Sequence, residues 1–373
     1  MRRSKSITLT VVTIIVLCCA TGLFAQVRQE VRIPDIMGYR TLKCDFHMHT
    51  VFSDGNVWPT VRVEEAWREG LDAISITDHI EYQPHKQDVP TNHNRPYEIA
   101  LPLAKERGIL LIKGAEITRD TPPGHFNALF LDDINPLDTK DLLDCMAAAD
   151  KQGAFIWWNH PDWKPQHIGW FDIHTTLYEK KYMRGIEVVN GNTYSASVHQ
   201  WALDKKLTFL GNSDIHAPSL VQQSTADKHR SMTLVFAQEK SISAVKDALE
   251  AGRTAIWFEK QIIGHQEHLE ALFAAIVKIT DIEREDKVAR FTLHNASDLP
   301  LELTRQGQLG PKELTLPANS VLRMKLNAPS EDATIELSYV VKNFVIAPGS
   351  GLPVNLAIAG QTTIDLDVEI GAK

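Results

Sequence analysis

The sequence predicts an α/β barrel followed by a small all-β sandwich. Short β-rich runs alternate with helical stretches from residue 40 to about residue 258. Several of those runs end in His, Asp or Glu. After about residue 262 the pattern changes to alternating runs separated by turn residues.

Taken in order, the chain opens with a leader. Arg2, Arg3 and Lys5 precede an apolar run from Ile7 to Ala20, and Ala25 stands before Gln26. This is the layout of a secretory signal peptide over residues 1–25, cleaved after Ala25. The run is too short to favour a retained membrane anchor. Cys18 and Cys19 raise a lipoprotein reading, but bulky Leu17 stands where a small residue is wanted before a lipidated cysteine. A periplasmic or extracellular protein with no membrane span after cleavage is expected. Residues 26–39 are expected to be a linker.

The whole chain carries 39 Lys and Arg against 47 Asp and Glu. Without residues 1–25 the balance is 36 against 47, a net −11. Such an acidic protein is a poor non-specific ligand for nucleic acid, so no nucleic-acid partner is expected. Only Cys44 and Cys145 remain, and they are read as buried free thiols.

The barrel is expected over residues 40–261. Its strand candidates are Leu42–Phe46, Ala73–Thr77, Ile109–Lys113, Asn127–Leu131, Ala154–Trp158, Gly185–Val189, Leu207–Gly211, Met232–Phe236 and Ala255–Phe258. Helix candidates between them include Val61–Glu69, Tyr97–Arg107, Thr139–Gln152, Ser195–Lys205 and Ser241–Ala251. This alternation implies parallel strands, and its many repeats favour a barrel over an open sheet. Residues 262–373 keep one helical stretch, Gln266–Phe273, and then alternate as a β-sandwich does. No constellation of reactive groups stands out there. Packing or oligomerisation is its expected role.

The chemistry lies at the strand tips, which in α/β barrels face the active site at their carboxyl ends. His47 and His49 alternate on one strand, so both imidazoles leave the same face. Asp54 follows in a loop, His79 closes the second run, Glu116 the third, and His125 and His160 come later. Asp214 and His216 repeat the spacing of the opening pair. Each alone has an ordinary explanation, such as a core histidine or a turn cap. Together they point to a metal cluster.

The series resembles the PHP (polymerase and histidinol phosphatase) superfamily of metal-dependent phosphoesterases. Asp45-Phe46-His47-Met48-His49-Thr50, with Ser53-Asp54-Gly55 behind it, is similar to the first motif of that family. Thr77-Asp78-His79, the strand-end Glu116 and Ser213-Asp214-Ile215-His216 are similar to the others, in order. The leader and β-rich tail look like the branch of secreted phosphodiesterases.

The resemblance implies a distorted (β/α)7 PHP barrel and three divalent metals: one on His47, His49, Glu116 and Asp214, a second on Glu116, His125 and His160, and a third on Asp54, His79 and His216. Zn, Mn and Fe all suit such ligands. It further implies hydrolysis of small phosphate diesters by a metal-bridging hydroxide, with Glu116, Asp214 and His216 as the catalytic groups. Asp45 and Asp78 are expected either to orient imidazoles or to make local backbone hydrogen bonds. Arg95, His229 and Arg230 are candidate substrate-binding groups, and the Tyr82–Tyr97 loop a candidate lid. Trp157, Trp158, Trp163 and Trp170 are candidates for an apolar wall around an ester group, or for core packing.

Two rival readings remain at this stage. One is a phosphomonoesterase acting on a nucleotide or sugar phosphate. The other is a catalytically silent, metal-stabilised binding protein.

Overall fold

A computed structural model describes residues 27–89, 92–221, 224–225, 228–327 and 334–358. The leader assigned to residues 1–25 lies outside them. No described helix is long and apolar enough to cross a membrane.

The barrel is assembled from two sheets. Strands β1 (Arg40–Asp45), β2 (Ala73–Ile74) and β3 (Leu110–Leu111) pair in parallel. On the other edge β1 pairs antiparallel with β10 (Met232–Ala237), which pairs with β11 (Thr254–Phe258). The second sheet contains β4 (Gly114–Ile117), β5 (Phe126–Leu129), β6 (Phe155–Trp158), β7 (Met183–Asn190) and the short β8 (Thr193–Tyr194), with β9 (Thr208–Asn212) pairing β7 in parallel. Single bridges join the two sheets, His79 to Glu116 and Met48 to Ile215. Both bridges lie at the end where the reactive residues gather.

The expected all-parallel barrel is therefore corrected to a mixed one. β4–β5 and β5–β6 are antiparallel. The link from Ile117 to Phe126 is too short to hold a crossover helix, and a parallel pair needs one. β4 and β12 (Gln261–Gly264) were not anticipated, nor was the helix Asp172–Glu179. Several helices start where the sequence supplies a cap: the side chains of Asp141, Ser195 and Ser241 accept from Asp144, Val198 and Ala244 N–H.

Residues 27–39 are not a free linker. Val31, Ile33 and Ile36 are buried. Arg28 donates to the carbonyls of Gly70 and Leu71, just past the end of helix α1 (Pro59–Arg68).

The C-terminal region has two facing layers. One is a three-stranded sheet of β13 (Val277–Glu285), β14 (Val288–Asn295) and β17 (Ser320–Asn327). The other contains β15 (Leu301–Arg305), β16 (Glu313–Leu316), β18 (Ile335–Ala347) and β19 (Ser350–Ile358). This second layer is not separate from the barrel. β12 pairs β11 on one edge and β18 on the other, so one sheet runs through both regions. One apolar cluster joins Met232, Leu234 and Phe236 of the barrel to Phe291, Leu293 and Tyr339.

Candidate metal centre

Glu116 lies at the middle of the site and is fully buried. Its Oε2 is 3.3 Å from His47 Nε2, 3.2 Å from His49 Nε2 and 3.0 Å from His79 Nδ1. Its Oε1 is 3.0 Å from His125 Nδ1 and 3.3 Å from His160 Nε2. Asp214 Oδ1 adds a second acceptor, 3.2 Å from His47 Nε2 and 3.0 Å from His49 Nε2. Toward solvent, Asp54 Oδ1 is 3.6 Å from His79 Nε2 and 3.2 Å from His216 Nε2. All nine expected ligands thus meet in one cluster of overlapping metal-sized groups.

The grouping differs in detail from the expected sets. His49 also joins Asp54, His79 and His216, while His160 also joins His47 and Asp214.

The fold explains how these side chains arrive together. His47, His49, His79, His160, Asp214 and His216 follow the carboxyl ends of their strands. His125 instead stands at the start of β5, and it reaches the site because β5 runs antiparallel to β4. His160 and Asp214 have positive φ, 28° and 49°, which turns their side chains into the cluster. Gly55 lets the Asp54 loop press on the first motif. A Cβ there would lie 2.5 Å from the His49 carbonyl carbon and oxygen. Gly55→Ala is expected to cost about 1–3 kcal/mol of stability and to lower metal occupancy, checked by thermal unfolding and by ICP-MS.

The residues fit divalent metals. His49 Nε2, Asp54 Oδ1 and Asp214 Oδ1 are buried without a hydrogen-bond partner, although they lie beside other ligand atoms. Lone pairs converging on a common point without mutual hydrogen bonds are what a shared ion requires. The imidazoles and carboxylates also shift one another's protonation. Burial alone would raise the Glu116 carboxyl, but the imidazoles of His79 and His47 outweigh it and hold it well below the usual range. Burial opposes charge on His49 too, yet the carboxylates of Asp214 and Glu116 raise it to about 10. Asp214 is lowered, the pull of His47 and His49 exceeding its burial.

Sequence reasoning missed Glu187. It is buried in the apolar strand β7, with Oε1 3.1 Å from His47 Nδ1. It also accepts from the His160 backbone N–H at 3.0 Å and the Asn212 amide at 2.9 Å. The available signal was a carboxylate inside a run that is otherwise apolar, since buried charges need partners. Glu187→Gln is expected to weaken metal binding about 10–100-fold with the fold retained, measured by competition with a chelator of known affinity. Asn159 was missed as well. Its amide donates to Glu116 Oε1 at 2.9 Å.

Of the two expectations for Asp45 and Asp78, local backbone hydrogen bonding is the one observed, and the substrate-binding roles expected of Arg95, His229 and Arg230 are corrected. Asp45 accepts from the His47 and Ser213 N–H, from the Ser213 hydroxyl and from Arg230. Asp78 accepts from Thr50 and Ser53 and so pins the Asp54 loop. Arg230 is buried and donates to Glu69 and Asp45, which leaves it no access to substrate. Both ring nitrogens of His229 face backbone carbonyls, those of Arg230 and Glu259. Arg95 pairs with Glu98 at a helix start and does not line the cavity. β10 runs antiparallel to β1, so Arg230 reaches the end of β1 from the side and not through the mouth.

A cavity of about 680 Å³ opens on the cluster. Its mouth is lined by Glu81, Tyr82, Thr118, Arg119, Asp120, Trp163 and Lys164. Among the described residues of the candidate lid, only Tyr82 lines the cavity; His85 and Lys86 are exposed outside it. Trp157 and Trp158 are core residues, and Trp170 packs on Trp158 and Trp201.

A barrel with a buried His and carboxylate cluster at the floor of an open cavity defines a metal-dependent hydrolase. The comparisons narrow this. A two-domain protein from Bacteroides vulgatus, containing a predicted PHP-like metal-dependent phosphoesterase, shares 45% identity over 90% of this chain and 100% of its own, with a TM-score of 0.85. The chain belongs to this family of PHP-like metal-dependent phosphoesterases. A family model for an Ig-like domain (DUF5001) matches residues 277–357. An amidohydrolase from Chromobacterium violaceum is 17% identical, covering 47% of this chain and 88% of its own, with a TM-score of 0.38. A lesion-specific endonuclease from Pyrococcus furiosus is 14% identical, covering 61% of this chain and 59% of its own, with a TM-score of 0.40. These last two likenesses are too partial to bear on function. No curated protein matches the chain.

Proposed function

We propose that the protein is an exported phosphodiesterase that hydrolyses small phosphate diesters with three divalent metals on the clustered ligands. The observation that carries the diester preference is the charge at the cavity mouth. Two cations, Arg119 and Lys164, stand against two carboxylates, Glu81 and Asp120. Arg119 is already engaged, by Glu81 and by the Thr139 carbonyl. A monoester dianion gains little from such a mouth, whereas a diester monoanion loses little by entering it.

The protein's own groups divide the work. Glu116 presents one oxygen to His47, His49 and His79 and the other to His125 and His160, as a bridging ligand does. Asp214 closes the inner group. Asp54 and His216 hold the outer one, where the His216 side chain is 37% exposed and reaches the cavity. Glu187 and Asn159 fix the imidazole and carboxylate orientations. Bound divalent metals supply an activated water and positive charge for the phosphoryl oxygens. Zn, Mn and Fe all suit these ligands. Export rests on the leader, and oligomerisation through the β-domain is part of the proposal.

The test couples metal content by ICP-MS to hydrolysis of bis(p-nitrophenyl) phosphate and p-nitrophenyl phosphate, before and after chelation. About three ions per chain, with chelator-sensitive activity favouring the diester, is the expected result. A preference for the monoester overturns the diester reading. No turnover of either compound after Zn, Mn or Fe is restored overturns the enzymatic reading.

A further inference from the structure

Two large aromatic side chains stand open at the cavity mouth. Tyr82 is 52% exposed and Trp163 is 56% exposed. Each lies three residues after a ligand histidine, Tyr82 after His79 and Trp163 after His160. Trp163 is set by a turn in which its N–H donates to the His160 carbonyl at 3.0 Å. Its ring centroid is 5.3 Å from that of His125 and 5.8 Å from that of His160. The Tyr82 ring lies edge-on to His79 at 5.9 Å. Lys164 Nζ sits 4.8 Å from the Trp163 ring centroid.

These aromatics contrast with the other tryptophans near His160. Trp157 and Trp158 are buried, and Trp170 is packed in an aromatic cluster. Trp163 alone of that group faces the cavity, and it does so beside imidazoles that the metals require. A group esterified to a phosphorus over the cluster must leave through this mouth. Of the polar groups it meets there, Glu81, Thr118 and Arg119 are already engaged with one another, with His79 and with the Thr139 carbonyl, which leaves the two rings, Lys164 and Asp120 to receive it.

We infer that the site selects diesters in which one ester group carries a flat aromatic ring, an aryl group or a nucleobase, seated against Trp163 with Tyr82 on the opposite rim. This inference rests on the diesterase reading and names the substrate class within it. Stacking on an exposed indole is tolerant of ring identity, because every such ring offers a π face. Lys164 supplies positive charge at the same edge, where the phosphate enters.

The experiment uses metal-loaded protein and four diesters with one common non-aromatic leaving group, hexafluoro-2-propanol, whose release is followed by fluorine NMR. The second ester group is ethyl, cyclohexyl, phenyl or thymidine-5′. The expected result is a kcat/KM for the phenyl or thymidine compound about tenfold or more above both the ethyl and cyclohexyl compounds. Which of the two is preferred tells an aryl from a nucleoside source. Trp163→Ala is expected to collapse that ratio toward one, mainly through KM, and Trp163→Phe to restore much of it. Equal kcat/KM across all four diesters overturns the ring subsite and leaves the diesterase reading standing. Equal values for cyclohexyl and phenyl also overturn it, because size and not flatness is then read. No turnover of any of the four overturns both readings.

Discussion

Glu116→Gln is expected to strip the site of metal and to lower turnover at least about a thousandfold. The amide that replaces the carboxylate keeps the shape and loses the charge. Five imidazole nitrogens lie 3.0–3.3 Å from the two carboxylate oxygens. A neutral amide offers one oxygen to that ring of donors and turns an N–H donor toward the rest. One of the two ligand groups would then lose its carboxylate oxygen. Metal content by ICP-MS and diester hydrolysis measure the two losses separately. Full metal content with wild-type turnover in the variant would remove Glu116 from the centre of the site.

The second large effect is expected at Arg62, which touches no ligand side chain. This guanidinium is completely buried. Nε donates to the His49 carbonyl at 2.9 Å. Nη2 donates to the carbonyls of Ile215 at 2.9 Å and His216 at 2.7 Å, and Nη1 to Ala217 and Glu65. One side chain on helix α1 therefore ties the first motif to the last. Arg62→Met takes the side-chain donor from the His49 and Ala217 carbonyls, leaves those of Ile215 and His216 with only the His49 and Asn56 N–H, and leaves Glu65 with the Ser219 N–H but no guanidinium. The expected cost is about 3–5 kcal/mol, read as a lower unfolding midpoint in metal-free protein, with weaker metal retention besides. Arg62→Lys is expected to recover little, because a single ammonium cannot span both loops. An unchanged midpoint in the methionine variant would show that the two loops hold their positions without it.

The sequence made the ligands legible because metal binding demands particular side chains, and these recur at strand tips whatever the surrounding packing. His47, His49, His79, Glu116, Asp214 and His216 could be found that way. The groups behind them could not. Arg62 acts through backbone carbonyls, and nothing in the order of residues says which carbonyls a folded chain will turn toward it. Arg230 looked like a phosphate clamp because its charge is visible in the sequence and its burial against Glu69 and Asp45 is not. Strand direction was misjudged for the same kind of reason. A period-2 run marks a strand but does not fix its sense, and only the shortness of the Ile117–Phe126 link forces β5 to turn back. Arg119 and Lys164 escaped notice as cavity-wall groups, and Tyr82 entered only as the first residue of a candidate lid, because the wall of a cavity is set by loops, whose path follows tertiary packing and not local pattern.

The sheet that passes from β11 through β12 to β18 also bears on how the chain comes apart. Strands separated by about eighty residues share a ladder there, and Leu234 and Phe236 lie in the same apolar cluster as Leu293 and Tyr339. Cutting the chain after Gly264 exposes that face and the β12 edge together, which is the recipe for a sticky fragment. The two regions should therefore melt in one calorimetric transition. The hydrolase barrel is not a cassette that can be lifted out and grafted elsewhere, because part of its wall is lent to it by the tail.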